Sequence, residues 1–315
     1  MSQYIEKKST SNIIKVIFIT TAISCFLPFI TSPIALVGGF LFTHFIGHPF
    51  QHLNKKTVNW LLKIAIVGLG FGMNINETLS VGKNSLLITI CSIVVVLVAG
   101  YFIGKLLKLE KEPVHLISSG TAICGGSAIA AISPIINASE KDMSMSLGVV
   151  FLLNSVSLIA FPPIGHFFEL TQHQFGLWCA IAIHDTSSVV GSALAYGQEA
   201  LKVATTVKLA RALWIIPLSI FTIFLFKGKN KTIKIPWFIF LFIAAIILNS
   251  YISLPAIMTT SITSISKSLL VLTLFLVGAE LSVDKIKAAG WKPMILGISL
   301  WLIISILSLI VIVLI

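Results

Sequence analysis

Arg211 and Lys208 are the residues of this chain best suited to hold an anion, and both stand in an apolar segment, Val207-Lys208-Leu209-Ala210-Arg211. A spacing of three puts both cations on one face of a helix. Arg211 is the only arginine among 22 basic residues. A guanidinium offers paired donors to a tetrahedral oxyanion, whereas an ammonium is a point charge. A cation at mid-membrane costs at least ~2.5–3.5 kcal/mol, so a role in a site is the default reading for Arg211. Lys208 lies about two turns from the end of its segment and can equally snorkel to the headgroups. Asp185 and His184 stand in the preceding apolar segment. A carboxylate there needs a partner, and Arg211 with Lys208 is the expected one. Such a pair either holds two helices together or takes part in proton or ion binding. His184 adds the side chain that changes charge near neutral pH, or else a hydrogen-bonded packing residue.

Two glycine- and hydroxyl-rich stretches interrupt otherwise apolar segments. The first is Gly120-Thr121-Ala122-Ile123-Cys124-Gly125-Gly126-Ser127-Ala128-Ile129-Ala130-Ala131, and the second runs from Ala182 through His184-Asp185-Thr186-Ser187-Ser188 to Gly191-Ser192-Ala193-Leu194-Ala195. Irregular backbone at membrane depth is tolerated only where it lines a protein or water-filled cavity. Paired interrupted spans are the best sequence-level pointer to a transporter's binding site. The expected substrate contacts are therefore Arg211, Lys208, Thr121, Cys124, Gly125, Gly126, Ser127, Thr186, Ser187 and Ser188, with Asp185 and His184 as ion-coupling groups. The competing reading of the hydroxyls is close helix packing. The breaks are expected near Ile123–Ser127 and His184–Ser188, facing each other, with Asp185 within ion-pair or one-water reach of Arg211. Asn154, mid-way along another apolar segment, reads as an interhelical hydrogen bond, and Glu280 as structural or interfacial.

These residues need a membrane scaffold around them. The 315-residue chain is 57% apolar and 10% charged, against about a quarter charged in soluble domains. At ~20 residues per crossing, eleven segments emerge, at roughly 13–30, 33–47, 58–73, 85–106, 114–136, 146–168, 175–196, 202–226, 236–252, 265–281 and 292–314. They form one transmembrane domain over 1–315, with a short cytoplasmic tail over 1–12. With the N-terminus inside, the inner links hold Lys7, Lys8, Lys55, Lys56, Lys105, Lys108, Lys111, Lys227, Lys229, Lys231, Lys234, Lys285, Lys287 and Lys292. The outer links hold Lys83, Lys141, Lys202 and, near a segment end, Lys267. That asymmetry predicts an N-in, C-out protein with an odd number of crossings. Lys7 and Lys8 before an apolar run suggest a signal peptide, but a second run follows at once without a small-residue cleavage site, so a retained span is expected.

Other features carry less chemistry. The net charge of +11 resides in short links, which is a topology signal rather than a nucleic-acid footprint. Cys25, Cys91, Cys124 and Cys179 lack metal-ligand spacing and read as buried thiols; no cofactor is expected. Gly68-Leu69-Gly70-Phe71-Gly72 lacks the strand context of a nucleotide loop and reads as close-packing glycine in a helix. Gly72-Met73-Asn74-Ile75 resembles Gly278-Ala279-Glu280-Leu281 and would fit an inverted repeat, whereas the two broken segments run the same way.

The stretches at 120–131, 183–185 and 207–211, together with Pro236-Trp237-Phe238 and Gly278–Leu281, resemble the signatures of the YeiH-type sulfate exporter family. The resemblance covers nearly the whole chain from about residue 30. It implies an inner-membrane protein of about eleven helices, distantly similar to the bile-acid symporter and sodium–proton antiporter folds, with sulfate or small organosulfonates as suggested cargo. Ala210 stands where that family's pattern has threonine, and Thr186-Ser187-Ser188 where many relatives show Val-Ala-Gln. The leading expectation is a non-enzymatic secondary transporter, an exporter of a small oxyanion. Its partners are that anion and the lipid bilayer, not nucleic acid; association into a homodimer is left open. The alternatives are an intramembrane serine hydrolase with Ser127 as nucleophile and His184 as its base, and an anion channel.

Overall fold

A computed structural model describes residues 2–27, 30–226, 237–252, 254–280 and 290–314. Every regular element among them is an α-helix. In chain order these are α1 (Ser2–Ser24), α2 (Ser32–Phe45), α3 (Gln51–Gly70), α4 (Ile75–Asn84), α5 (Leu86–Leu106), α6 (Lys111–Ala122), α7 (Gly126–Ile132), α8 (Glu140–Phe167), α9 (Gln172–Ala182), α10 (Thr186–Tyr196), α11 (Gln198–Ala212), α12 (Ile215–Phe226), α13 (Phe238–Tyr251), α14 (Ala256–Glu280) and α15 (Trp291–Leu314). Lys227, Lys229, Lys231, Lys234, Pro236, Leu281, Lys285 and Lys287, used above for charge asymmetry and motif, lie outside the described residues, as do the side chains of Lys7, Lys8, Lys55 and Glu280.

By length and composition, five helical stretches can cross a membrane unaided: Leu86–Leu106, Glu140–Phe167, Gln198–Phe226, Ala256–Ala279 and Trp291–Leu314. A sixth is reached if 56–70 and 75–83 count as one broken span. Two more segments are split into half-helices, α6 with α7 and α9 with α10, as the glycine-rich stretches predict.

Local signals start these helices. Ser139 caps α8 by accepting from the Asp142 amide at 3.1 Å, with Glu140 and Asp142 in the first turn. Thr171 and Gln174 form a reciprocal capping box at α9, which satisfies amides that have no intrahelical acceptor.

The chain divides into two compact units, one of 1–72 with 242–282 and the other of 73–241 with 283–315. In the first, α14 packs on α2 and α3. Gly39 and Gly278 let backbones touch: a methyl on Gly39 would lie 2.0 Å from the Phe275 carbonyl oxygen, and one on Gly278 2.0 Å from that of Leu36. The glycines of α3 pack closely too, Gly68 against Ser266 and Gly70 against Phe242. Small residues at helix contacts are the usual device where lipid removes the hydrophobic drive to associate.

The second unit holds every residue expected in the site. There α9 packs on α11 and α15, α10 on α8 and α11, and α6 on α5, α8 and α15. Gly100 and Gly104 of α5 face Ser118 and Val114 of α6, a small-xxx-small seam that sets the position of the first half-helix. Cys25, Cys124 and Cys179 are buried free thiols, but Cys91 is exposed on α5. The expectation of four buried thiols fails there because an apolar helix facing lipid has no polar side to reveal its exposed face.

Gly39→Ala should cost ~1–3 kcal/mol by overpacking, seen as a lower melting temperature in detergent. Gly38→Ala, where a methyl meets nothing within 4 Å, should be neutral or stabilising through helix propensity. Equal melting temperatures for the two variants would refute the α2–α14 contact.

Candidate functional site

Each break is built from its own residues. At the first, α6 stops at Ala122 and Gly125 adopts φ 64°, ψ −123°, a conformation essentially reserved for glycine. Its amide donates back to the Gly120 carbonyl at 2.8 Å. Ser127 turns its hydroxyl onto the Cys124 carbonyl at 3.1 Å and lies 2.8 Å from the Cys124 thiol. At the second, Ile183 and Asp185 are extended, with ψ of 130° and 144°. Asp185 caps α10, its carboxylate accepting from the Ser187 amide at 2.9 Å and from the Ser187 hydroxyl. The breaks face each other: a methyl on Gly125 would meet the Asp185 amide nitrogen and Cα at 3.4 Å.

A continuous helix would pair the amides of His184 and Asp185 with the carbonyls of Ala180 and Ile181 four residues earlier. Here those amides donate instead to Asn154 Oδ1 on α8, at 3.0 and 3.1 Å. The carbonyls released are taken by the cations of α11. Lys208 Nζ donates to Ala180 at 3.3 Å and to Ile183 at 2.6 Å. Arg211 Nη1 donates to Ile181 at 3.0 Å, while its Nε donates to Ala122 at 2.8 Å, where α6 ends. One arginine thereby ties both breaks, and both cations sit at helix C-termini, the end that favours positive charge.

Of the two expected arrangements of Asp185 and Arg211, the direct ion pair does not form. Arg211 hydrogen bonds to two carbonyls, and the Asp185 carboxylate to Ser187. The reason is local: the carboxylate finds amide and hydroxyl donors at the start of its own helix, and a buried guanidinium goes to carbonyls that the breaks have orphaned. Lys208 and Arg211 are both 0% exposed, so Lys208 does not snorkel. Thr121, Cys124, Gly125, His184, Ser187 and Ser188 are buried at the breaks, Gly126, Asp185 and Thr186 are half-buried, and Ser127 is exposed. Ser127 bonds to Cys124, while neither ring nitrogen of His184 has a hydrogen-bond partner. A serine–histidine dyad is not assembled.

Several buried polar atoms remain unmet, among them Thr121 Oγ1, Asn154 Nδ2, Arg211 Nη2 and both nitrogens of His184. Each unmet buried group costs ~1–3 kcal/mol, and these four residues belong to the two breaks or hold their backbone. Asn154 is the residue whose importance sequence reasoning understated. A single asparagine in a long apolar helix signals a hydrogen bond, but nothing in the sequence says that it holds the backbone of a break.

Gly125→Ala should cost ~1–3 kcal/mol because its backbone conformation excludes a side chain. Thermal unfolding in detergent checks this, and unchanged stability would contradict the break as described.

Comparison with known proteins places the whole chain. Residues 13–297 match the family model described as conserved hypothetical protein 698. A UPF0324 membrane protein of Bacteroides thetaiotaomicron is 50% identical over 283 residues, covering 89% of this chain and 86% of that protein. Another from Photobacterium profundum is 46% identical over 293 residues, covering 93% and 90%. A third, from Vibrio parahaemolyticus, is 48% identical over 290 residues, covering 90% and 94%. No solved structure matches the chain. The resemblance to the YeiH-type family agrees with these matches. The chain belongs to the conserved hypothetical protein 698 family, that of the UPF0324 membrane proteins.

Proposed function

We propose that the chain is a secondary transporter that exports a small oxyanion, such as sulfate or an organosulfonate, by alternating access around the two broken helices. The observation that carries this reading is the pair of helix breaks tied by fully buried Arg211 and Lys208, with donors left unmet beside them. Among the described residues no Asp or Glu is buried, and the half-buried Asp185 is the one carboxylate at the breaks. Two cations against one carboxylate favour an anion at this depth, where a lone charge is costly. The protein acts without cofactor and without chemistry on its cargo. It sits in the bacterial inner membrane with about eleven crossings, N-terminus inside and C-terminus outside, in an architecture related to bile-acid symporters and sodium–proton antiporters. A negative cell interior favours anion exit by ~2.3 kcal/mol per charge per 100 mV, so export needs little or no ion coupling.

Purified protein in proteoliposomes should move radiolabelled sulfate or a labelled organosulfonate, and Arg211→Ala should abolish that flux. Arg211→Lys should impair it nearly as much, since one ammonium does not reproduce donors fixed in a plane toward both breaks. Normal flux in Arg211→Ala protein would reject the site.

Asp185→Asn should leave anion exchange running but remove its dependence on an imposed pH gradient. Asparagine can still cap α10, so the fold survives the change. Full pH-dependent accumulation by this variant would leave Asp185 as a helix cap alone.

A further inference from the structure

We infer that Asn154 contacts the transported anion directly, offering Nδ2 to a bare oxygen of a deprotonated tetrahedral oxyanion; this rests on the anion-transport reading above. The orientation of the carboxamide is fixed by what it touches. Its Oδ1 receives two backbone N–H groups, from His184 at 3.0 Å and Asp185 at 3.1 Å. Only the oxygen can accept them, so the other arm must be the NH2, which donates and cannot accept. That NH2 is buried on a residue 2% exposed and has no partner. Buried polar groups without partners are rare enough in proteins to call for a reason.

The position of Asn154 makes it a residue of the crossing rather than of one break. Val150, one turn before it on the same face of α8, meets Gly120 and Gly125 of the first break at 3.3 Å, measured to a methyl placed on each glycine. Asn154 itself holds the second break. The other orphaned pure donor here is Arg211 Nη2, on the guanidinium that ties Ala122 to Ile181. Two residues thus spend their remaining hydrogen-bonding capacity on the breaks and keep one arm each. Both spare arms carry N–H and neither can accept, so the ligand atoms that meet them must be hydrogen-bond acceptors, and anionic oxygens make the stronger bonds. Sulfate and alkylsulfonates present such oxygens at neutral pH. In this arrangement Asn154 does two things with one side chain, fixing the break through oxygen and reading the anion through nitrogen.

Asn154→Asp separates the two roles, because the aspartate keeps an acceptor for the break amides but replaces the donor arm with an oxygen. Asn154→Ala keeps the site's charge while removing the donor together with the acceptor that holds the break amides. Both are reconstituted as full chains in proteoliposomes, and radiolabelled sulfate and methanesulfonate uptake is measured against concentration, with melting temperature as the control for folding. The half-saturating concentration should rise at least tenfold in both variants, while Asn154→Asp protein melts close to wild type. An unchanged value in either variant means that Asn154 only supports the break, and it overturns the proposal; where the aspartate variant does not fold, a rise in an alanine variant that melts close to wild type supports the proposal, and a rise only in one that melts well below wild type overturns it. Wild-type protein that neither binds nor moves either anion rejects the transport reading and this inference together. Loss of flux in Arg211→Ala alongside normal half-saturation in the Asn154 variants rejects only the inference.

Discussion

The structure depends on one constraint: a helix interrupted inside an apolar interior must find new partners for every backbone group that the interruption frees. In water those groups would be solvated at little cost, whereas away from water each unmet one costs several kcal/mol. The second break meets the constraint by exchange. Asn154 on α8 takes the two amides, and Lys208 and Arg211 on α11 take the carbonyls those amides have left. Because α8 and α11 both pack on α10, the exchange needs both helices in place. This explains why, among the described residues, the hydrogen-bond partners of the two buried cations are backbone carbonyls. Their partners are dipoles at helix ends.

That exchange couples stability to function. Removing a cation strips donors from the break carbonyls as well as charge from the proposed site, so an Arg211 variant carries both effects. The guanidinium is well suited to the double task. Its planar fork spends Nε and Nη1 on two different half-helices and still keeps Nη2. An ammonium pivots around one atom, and Lys208 reaches only carbonyls of the α9 end. Arginine is therefore the residue able to bridge breaks that lie on separate segments.

How much of this could be read from sequence follows from the range of each interaction. The half-helices were legible because glycine, serine and threonine within an apolar stretch act locally: Gly125 needs its backbone conformation whatever surrounds it. Burial of Arg211 followed from its depth in an apolar run. A direct Asp185–Arg211 ion pair did not form, because charge alone cannot rank a cation on another helix above a neighbouring hydroxyl and amide. Likewise, the partners of Asn154 lie thirty and more residues away, and no periodicity within α8 encodes them. Helix periodicity was uninformative for lipid-facing elements such as α5, whose outer face is as apolar as its inner one, and Cys91 was misplaced for that reason.

The capping of α10 gives Asp185 a role that a salt bridge would have denied it. A carboxylate locked to a guanidinium is held ionised, and its proton is of little use. Here the charge is met by one amide and one hydroxyl of Ser187 and by the start of a helix, which together contribute on the order of 1 kcal/mol at an accessible position. A carboxylate acceptor strengthens the amide bond, since hydrogen bonds to an ionised acceptor are about twice as strong as neutral ones. The residue affected lies in the chain between His184, whose amide Asn154 holds, and the first turn of α10. The cap on α10 is thus joined directly to the backbone of the break, on a residue whose own amide Asn154 grips.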